Sequence, residues 1–172
     1  MSEAYSVRVA GGSVVTVDAE DSAILSQYSW CHCPKSTAVT AYNKGVGGNI
    51  RLHRLILQAP AGMLVDHRNG DVCDNRRSNL RVCNSNENQR NKRAVPGGGS
   101  RFKGVALMKN SNKFRAYIFV SRKQKHLGLF ATEEEAARAY DAAARLHFGE
   151  FCCVNYPQGR ERSALHTQEV GQ

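Results

Sequence analysis

At 172 residues the chain can hold one ordinary domain or two small ones, and its 41% hydrophobic content is normal for globular protein. The formal net charge of +9 suits a polyanionic partner. No apolar run approaches the ~18 residues of a membrane span, and the start Met-Ser-Glu-Ala-Tyr-Ser has neither the basic flank nor the apolar stretch of a signal peptide. A cytoplasmic protein is therefore expected.

In chain order, the apolar alternation from Val7 to Val17 reads as extended, and Asp18 opens a short helix over Ala19 to Gln27. Extended stretches follow near Tyr28 to Cys33 and Ala38 to Tyr42. Leu52-His53-Arg54-Leu55-Ile56-Leu57 starts another helix, which Pro60 and Gly62 end. A two-stranded turn is expected around Asn69-Gly70, then a polar helix from about Ser85 to Arg93.

Three glycines and a serine in Lys92-Arg-Ala-Val-Pro-Gly-Gly-Gly-Ser100 favour a flexible coil, and the proline discourages a helix from running through. The expected division is a first domain over residues 1–93, a linker over 94–100, a second domain over 101–157 and a disordered tail over 158–172. In the second domain Phe102 to Met108, Lys113 to Ser121 and Gln124 to Phe130 read as three short strands. The period then lengthens: Ala136, Tyr140, Ala143 and His147 fall on one helical face, Thr132-Glu133-Glu134-Glu135 forms a capping box and Gly149 is a plausible C-cap. Phe114, Ala116, Ile118 and Val120 would meet that helix, leaving Arg115, Tyr117 and Phe119 on the other face of the sheet. The fold class expected is α+β.

Six cysteines, at 31, 33, 73, 83, 152 and 153, sit in a reducing compartment on this reading and are expected as buried thiols. Cys31-His32-Cys33 is too tight for the usual zinc spacer. The charge is uneven: residues 101–130 hold eight basic residues and no acidic one. A face built that way suits polyphosphate, because neutralising phosphates releases condensed counterions.

Asp66-His67 closes the apolar run Met63-Leu64-Val65, and an asparagine-rich tract follows. A hard oxygen donor beside an imidazole, with an amide donor about twenty residues on, suits metal-assisted phosphodiester hydrolysis. Asp66 would supply a carboxylate to magnesium (or manganese), and His67, partly unprotonated at neutral pH, the base. One difficulty is geometric: adjacent side chains of a strand point to opposite faces, so the strand must end or twist at this pair.

Asp66-His67, Asn69-Gly70, Asp74-Asn75-Arg76, Asn79-Leu80-Arg81 and Ser85-Asn86-Glu87-Asn88, preceded by Leu52-His53-Arg54-Leu55, resemble the HNH endonucleases, in the subgroup of phage homing enzymes. The resemblance covers residues 50–93. It implies a ββα-metal fold in which Asp66 and Asn88 ligate one divalent ion, His67 is the general base and Asn79 braces the loop carrying it. Asn88 stands where many relatives have histidine; Asn91, one helical turn further, is the second choice of ligand. His53 is read either as a phosphate or supporting contact or as a packed helix histidine. Arg76, Arg77, Arg81, Arg90 and Arg93 are candidates to grip phosphates.

Residues 101–157 resemble the Apetala-two or ethylene-response-factor DNA-binding domain. The likeness is carried by Phe102-Lys103-Gly104-Val105, Phe114-Arg115-Ala116-Tyr117-Ile118, His126-Leu127-Gly128-Leu129-Phe130, Thr132 to Asp141, Phe148-Gly149-Glu150 and Asn155-Tyr156-Pro157. It implies that the exposed sheet face enters the major groove. The contact candidates are Lys103, Arg115, Tyr117 and His126, with Arg122 and Lys123 on phosphates. Ala106 and Met108 stand where plant relatives commonly have arginine, and Tyr117 and Phe119 replace a usual glutamate and arginine, so the plant GC-box preference does not carry over. The whole reads as a metal-dependent, site-directed DNA endonuclease of homing type whose partner is double-stranded DNA, with no membrane and no obligate protein partner implied. The alternative is a non-enzymatic DNA-binding regulator with a decayed nuclease module.

Overall fold

The computed structural model describes residues 3–94, 99–158 and 162–163. Its backbone contacts divide the chain into two compact units, Met1–Asn88 and Gln89–Gln172. Most of the expected linker, residues 95–98, and most of the expected tail, residues 159–161 and 164–172, lie outside the described residues. Among the described residues no helix is long and apolar enough to cross a membrane.

The first unit is a set of small antiparallel ribbons around one core. The apolar alternation at its start folds as a hairpin, β1 (Ala4–Arg8) on β2 (Val14–Asp18), turned by Gly11 and Gly12 at positive φ. Gly11 is required by space as well: a Cβ there would lie 2.0 Å from the His32 carbonyl oxygen. The expected helix begins later than its pattern suggests, with a 3-10 turn over Ala19–Asp21 before α1 (Ser22–Gln27). Asp18 does not cap it, because its Oδ2 accepts the Arg77 backbone N–H at 2.7 Å instead.

Tyr28 to Cys33 forms no strand; Cys31 bridges Ala10 and Thr40 singly, and the extended structure is confined to β3 (Thr40–Asn43) paired with β4 (Gly48–Arg51). α2 (Leu52–Leu57) follows directly and ends at Gln58 in the left-handed region, two residues before Pro60. β5 (Leu64–His67) pairs with β6 (Leu80–Cys83), and α3 (Ser85–Arg90) leaves that ribbon. Val15, Val17, Trp30, Ala41, Leu52, Ile56 and Leu80 bring β2, β3, α2 and β6 onto one buried cluster. Burying such side chains contributes roughly 1.5–3 kcal/mol each before entropy is counted.

In the second unit β7 (Val105–Met108), β8 (Lys113–Val120) and β9 (Lys123–Phe130) form one antiparallel sheet in that order. Ser121 and Arg122 make the β8–β9 turn, both at positive φ, which matches the right-handed twist of the ribbon. α4 (Glu133–Phe148) starts at a complete capping box: the Thr132 side chain accepts from Glu135 N, and Glu135 accepts from Thr132 N. Its buried stripe is Ala136, Ala137, Tyr140, Asp141, Ala144 and Phe148. His147, expected on that stripe, is exposed, and Ala143 only half-buried, because the buried stripe is centred nearer Ala144 and Ala137 and these two positions fall at its edge. A 3-10 turn (Gly149–Phe151) leads to β10 (Cys153–Val154), which pairs in parallel with β11 (Arg162–Ser163), so part of the expected tail forms a strand.

Candidate active site and nucleic-acid surface

Asp66 and His67 are the last two residues of β5, both buried. The expected tight turn at Asn69-Gly70 is not the hairpin connection: β5 and β6 are joined by the whole of residues 68–79. Gly70 N–H bonds His67 O at 2.9 Å, which only starts the loop. Its remainder is annealed to β2, where Thr16 N–H donates to Cys73 O at 2.9 Å and Asn75 N–H to Thr16 O at 2.7 Å. Asn79 ties the two ends together, its Oδ1 accepting Asn69 N–H at 3.0 Å and its Nδ2 donating to Asp74 O at 2.7 Å. A long loop that would otherwise be entropically costly is thus held at many points, fixing the end of the strand that carries His67.

Within that loop Asn75 is fully buried and faces His67, with Oδ1 3.4 Å from Nε2. The orientation of this amide follows from its other contact: Nδ2 donates to Val72 O at 2.9 Å, so the end facing His67 is the acceptor. Nε2 must then carry the proton, and Nδ1 keeps its lone pair. Burial pushes the His67 pKa below the usual histidine value, against the opposing pull of Asn75, Asp66, Asp71 and Asp74. The imidazole is neutral at pH 7, the state that accepts a proton.

His53 of α2 meets His67 edge to face, ring centroids 5.2 Å apart. Burial lowers its pKa to about 3, assisted by His67, Arg51 and Arg54, and its buried Nδ1 has no hydrogen-bond partner. His53 is 5% exposed and packs against one side of His67.

Asp66 pairs with Arg81 directly across the ribbon. Arg81 Nε and Nη2 donate to Asp66 Oδ2 at 3.0 and 2.6 Å, and the side chains are 5% and 7% exposed. Arg81 is therefore not a surface cation that grips phosphate, as its place in an arginine-rich stretch suggests. Arg76 and Arg77 are also engaged. Arg76 forks onto Asp74, whose pKa it lowers, and Arg77 forks onto Asp21 at 2.7 and 2.8 Å. The sequence shows these arginines but not the pairing of Arg77, since Asp21 lies 56 positions away from it.

Asn88 is half-buried on α3, whose first turn is held by Asn84 and Glu87 bonding each other's backbone N–H at 3.0 and 2.8 Å. Among the described residues no three His, Cys, Asp or Glu side chains gather as a metal cage. The expected donors are instead one carboxylate and one amide. Both present hard oxygen, and the buried Asp66 carboxylate draws a cation to itself, so the donor set fits a magnesium-like ion that keeps several waters. Asn91, the second choice of ligand, is 1% exposed and falls within the second unit.

In the second unit Ala116 and Ile118 face the core, while Arg115, Tyr117 and Phe119 form a row on the other face. The Arg115 guanidinium lies 5.4 Å from the Tyr117 ring centroid, and the Tyr117 and Phe119 rings meet edge to face at 6.0 Å. Register places His126 beside Tyr117, Gln124 beside Phe119 and Leu129 beside Arg115, with a bulge between Ala116 and Tyr117. Phe119 is 57% and Leu129 51% exposed. Arg122, Lys123, Lys125 and His126 are exposed.

Two expected contacts are occupied elsewhere in this unit. Lys103 Nζ donates to the carbonyls of Arg90 and Lys92 at 2.7 and 2.6 Å, and the Arg90 guanidinium stacks on Phe148, 4.9 Å from the ring centroid. Lys103 is further anchored by its backbone N–H to Asn155 Oδ1 at 2.8 Å. Asn155 rests in turn on the buried Asp141, which also accepts Tyr156 N–H at 2.8 Å. Lys103 and Arg90 thus close the unit rather than present charge.

Residues 51–90 match the family model described as HNH endonuclease. The chain is also 29% identical over 150 residues to a protein of Acanthamoeba polyphaga mimivirus named as an uncharacterized HNH endonuclease, spanning 84% of this chain and 75% of that relative. Residues 51–90 are thereby an HNH endonuclease domain, and the protein is a DNA endonuclease.

Proposed function

We propose that this HNH endonuclease hydrolyses phosphodiester bonds of double-stranded DNA with a divalent ion, magnesium or manganese, at sites chosen by its second unit. The observation that carries the reading is the buried, neutral His67, which Asn75 holds in the tautomer that leaves Nδ1 basic. His67 takes the proton of the attacking water, and Asn79 keeps the strand end that presents it in place. Asp66 and Asn88 would hold the ion. When bound, such an ion polarises the scissile phosphate and stabilises the departing oxygen. His53 shields His67 from bulk water on one side and so keeps the base unprotonated.

The second unit acts as an Apetala-two-like reader, and the row Arg115, Tyr117, Phe119 with His126 and Leu129 is the face that enters the groove. An exposed cation stacked on an aromatic row suits base edges and thymine methyls, whereas Arg122 and Lys123 at the β8–β9 turn suit phosphates. Restriction of the weak cutter to chosen sites makes the chain a homing-type enzyme, as its phage-like motif suggests, because tethering raises the effective concentration of the cutter there. The testing experiment is cleavage of plasmid DNA by purified protein with and without magnesium. His67→Ala should lower cleavage by on the order of a hundredfold or more, with DNA affinity nearly constant in a filter-binding assay. Unchanged cleavage at saturating magnesium removes His67 from the mechanism.

A further inference from the structure

Arg81, like its neighbours Arg76 and Arg77, is engaged within the fold, but its partner is the carboxylate of the candidate site. Arg81 stands opposite Asp66 in the β5–β6 register, and its Nε and Nη2 donate at 3.0 and 2.6 Å to one carboxylate oxygen, Oδ2. With side chains 5% and 7% exposed, the pair is screened from water. A carboxylate so buried requires a counter-charge, and a guanidinium supplies one permanently because it does not lose its proton. The oxygen it holds belongs to the residue read above as the cation's ligand.

We propose that Arg81 is the resident counter-ion of that carboxylate: it competes with the divalent cation for Asp66 and thereby sets how tightly the cation binds. This inference rests on the reading of Asp66 as a metal ligand. Two guanidinium N–H groups on one oxygen reduce its capacity to donate to a second positive centre. The linkage is reciprocal, so cation binding loosens the Arg81–Asp66 pair as much as the pair weakens cation binding. No proton leaves when the cation arrives; the guanidinium must shift its hydrogen bonds instead. A lysine at this position offers a point charge in place of the planar fork and competes less.

The test measures manganese binding to the full-length protein without DNA, by calorimetry and by the electron paramagnetic resonance signal of free ion. Arg81→Met should bind manganese about tenfold more tightly than the natural protein, a coupling of ordinary size, with Arg81→Lys between the two. Equal or weaker binding by folded Arg81→Met overturns the proposal. If that variant does not fold, the natural protein answers the question. The Nε–H resonance of Arg81, assigned by its loss in Arg81→Lys, should move as magnesium is added and saturate with the same Kd that calorimetry gives. A resonance unmoved at saturating magnesium overturns the competition. Asp66→Asn separates this failure from failure of the underlying reading: the substitution should weaken manganese binding at least tenfold, and unchanged binding would sink both together.

Discussion

At the scale of single residues, the site is governed by what burial does to two histidines. An unfolded histidine titrates near 6.5, whereas His53 in the fold titrates at about 3 and His67 is shifted in the same direction. Between those values the unfolded chain binds more protons than the native one, so acid favours unfolding. The stability tied to neutral His53 is complete above pH 6.5 and is lost as pH falls toward 3. In EDTA, stability from urea titrations should fall by ~2 kcal/mol between pH 8 and pH 5 on the His53 contribution alone. His53→Phe keeps an aromatic wall against His67 and should flatten that slope by most of this amount. A slope that is the same in the variant would place the acid sensitivity elsewhere.

At the scale of elements, β5, β6 and α2 show where sequence patterns suffice. Leu52–Leu57 is helical within the range that its apolar spacing marks, and Asp66-His67 does close a strand. The β5–β6 connection was not legible, because Asn69-Gly70 has the composition of a two-residue hairpin turn while the ribbon pairs only after a loop of residues 68–79. What shapes that loop is tertiary: β2 carbonyl and amide groups, Asp18 and Asp21 reach it from more than fifty positions away. Asn75 was visible as part of a motif, but its grip on His67 was not. In the second unit Gly104 illustrates the converse, a local letter with a spatial cause. It sits at φ +75, and a Cβ there would lie 2.0 Å from the Tyr140 ring and 2.7 Å from the Tyr117 carbonyl oxygen. Gly104→Ala should therefore cost more than about 2 kcal/mol in thermal or urea unfolding of this unit. A loss below 0.5 kcal/mol, in the range of an ordinary surface change, would mean that β7 is not held against α4 as closely as this geometry requires.

At the scale of the whole molecule, the division of labour we propose turns on whether the second unit, as a DNA reader, meets base edges or only holds phosphates. Its acid-free run from Arg101 to Phe130 supports either, but the placements of two cations differ. Lys123 begins β9 just after the turn, exposed, and has the freedom of a charge that neutralises a phosphate. Arg115 is half-buried in mid-strand, stacked against Tyr117, with its buried Nε lacking any hydrogen-bond partner. A guanidinium fixed by an aromatic neighbour gives up little entropy on meeting a guanine edge, and an unsatisfied donor gains a partner there. In the full-length protein Lys123→Ala should weaken binding to a selected and a scrambled duplex about equally and lower the salt slope by roughly one unit. Arg115→Ala should cost about 1 to 3 kcal/mol on the selected duplex and much less on the scrambled one. Salt titrations of both variants on both duplexes decide the matter. Equal losses for Arg115→Ala would make it a phosphate contact and pass site selection to Tyr117, His126 or the deformability of the DNA itself.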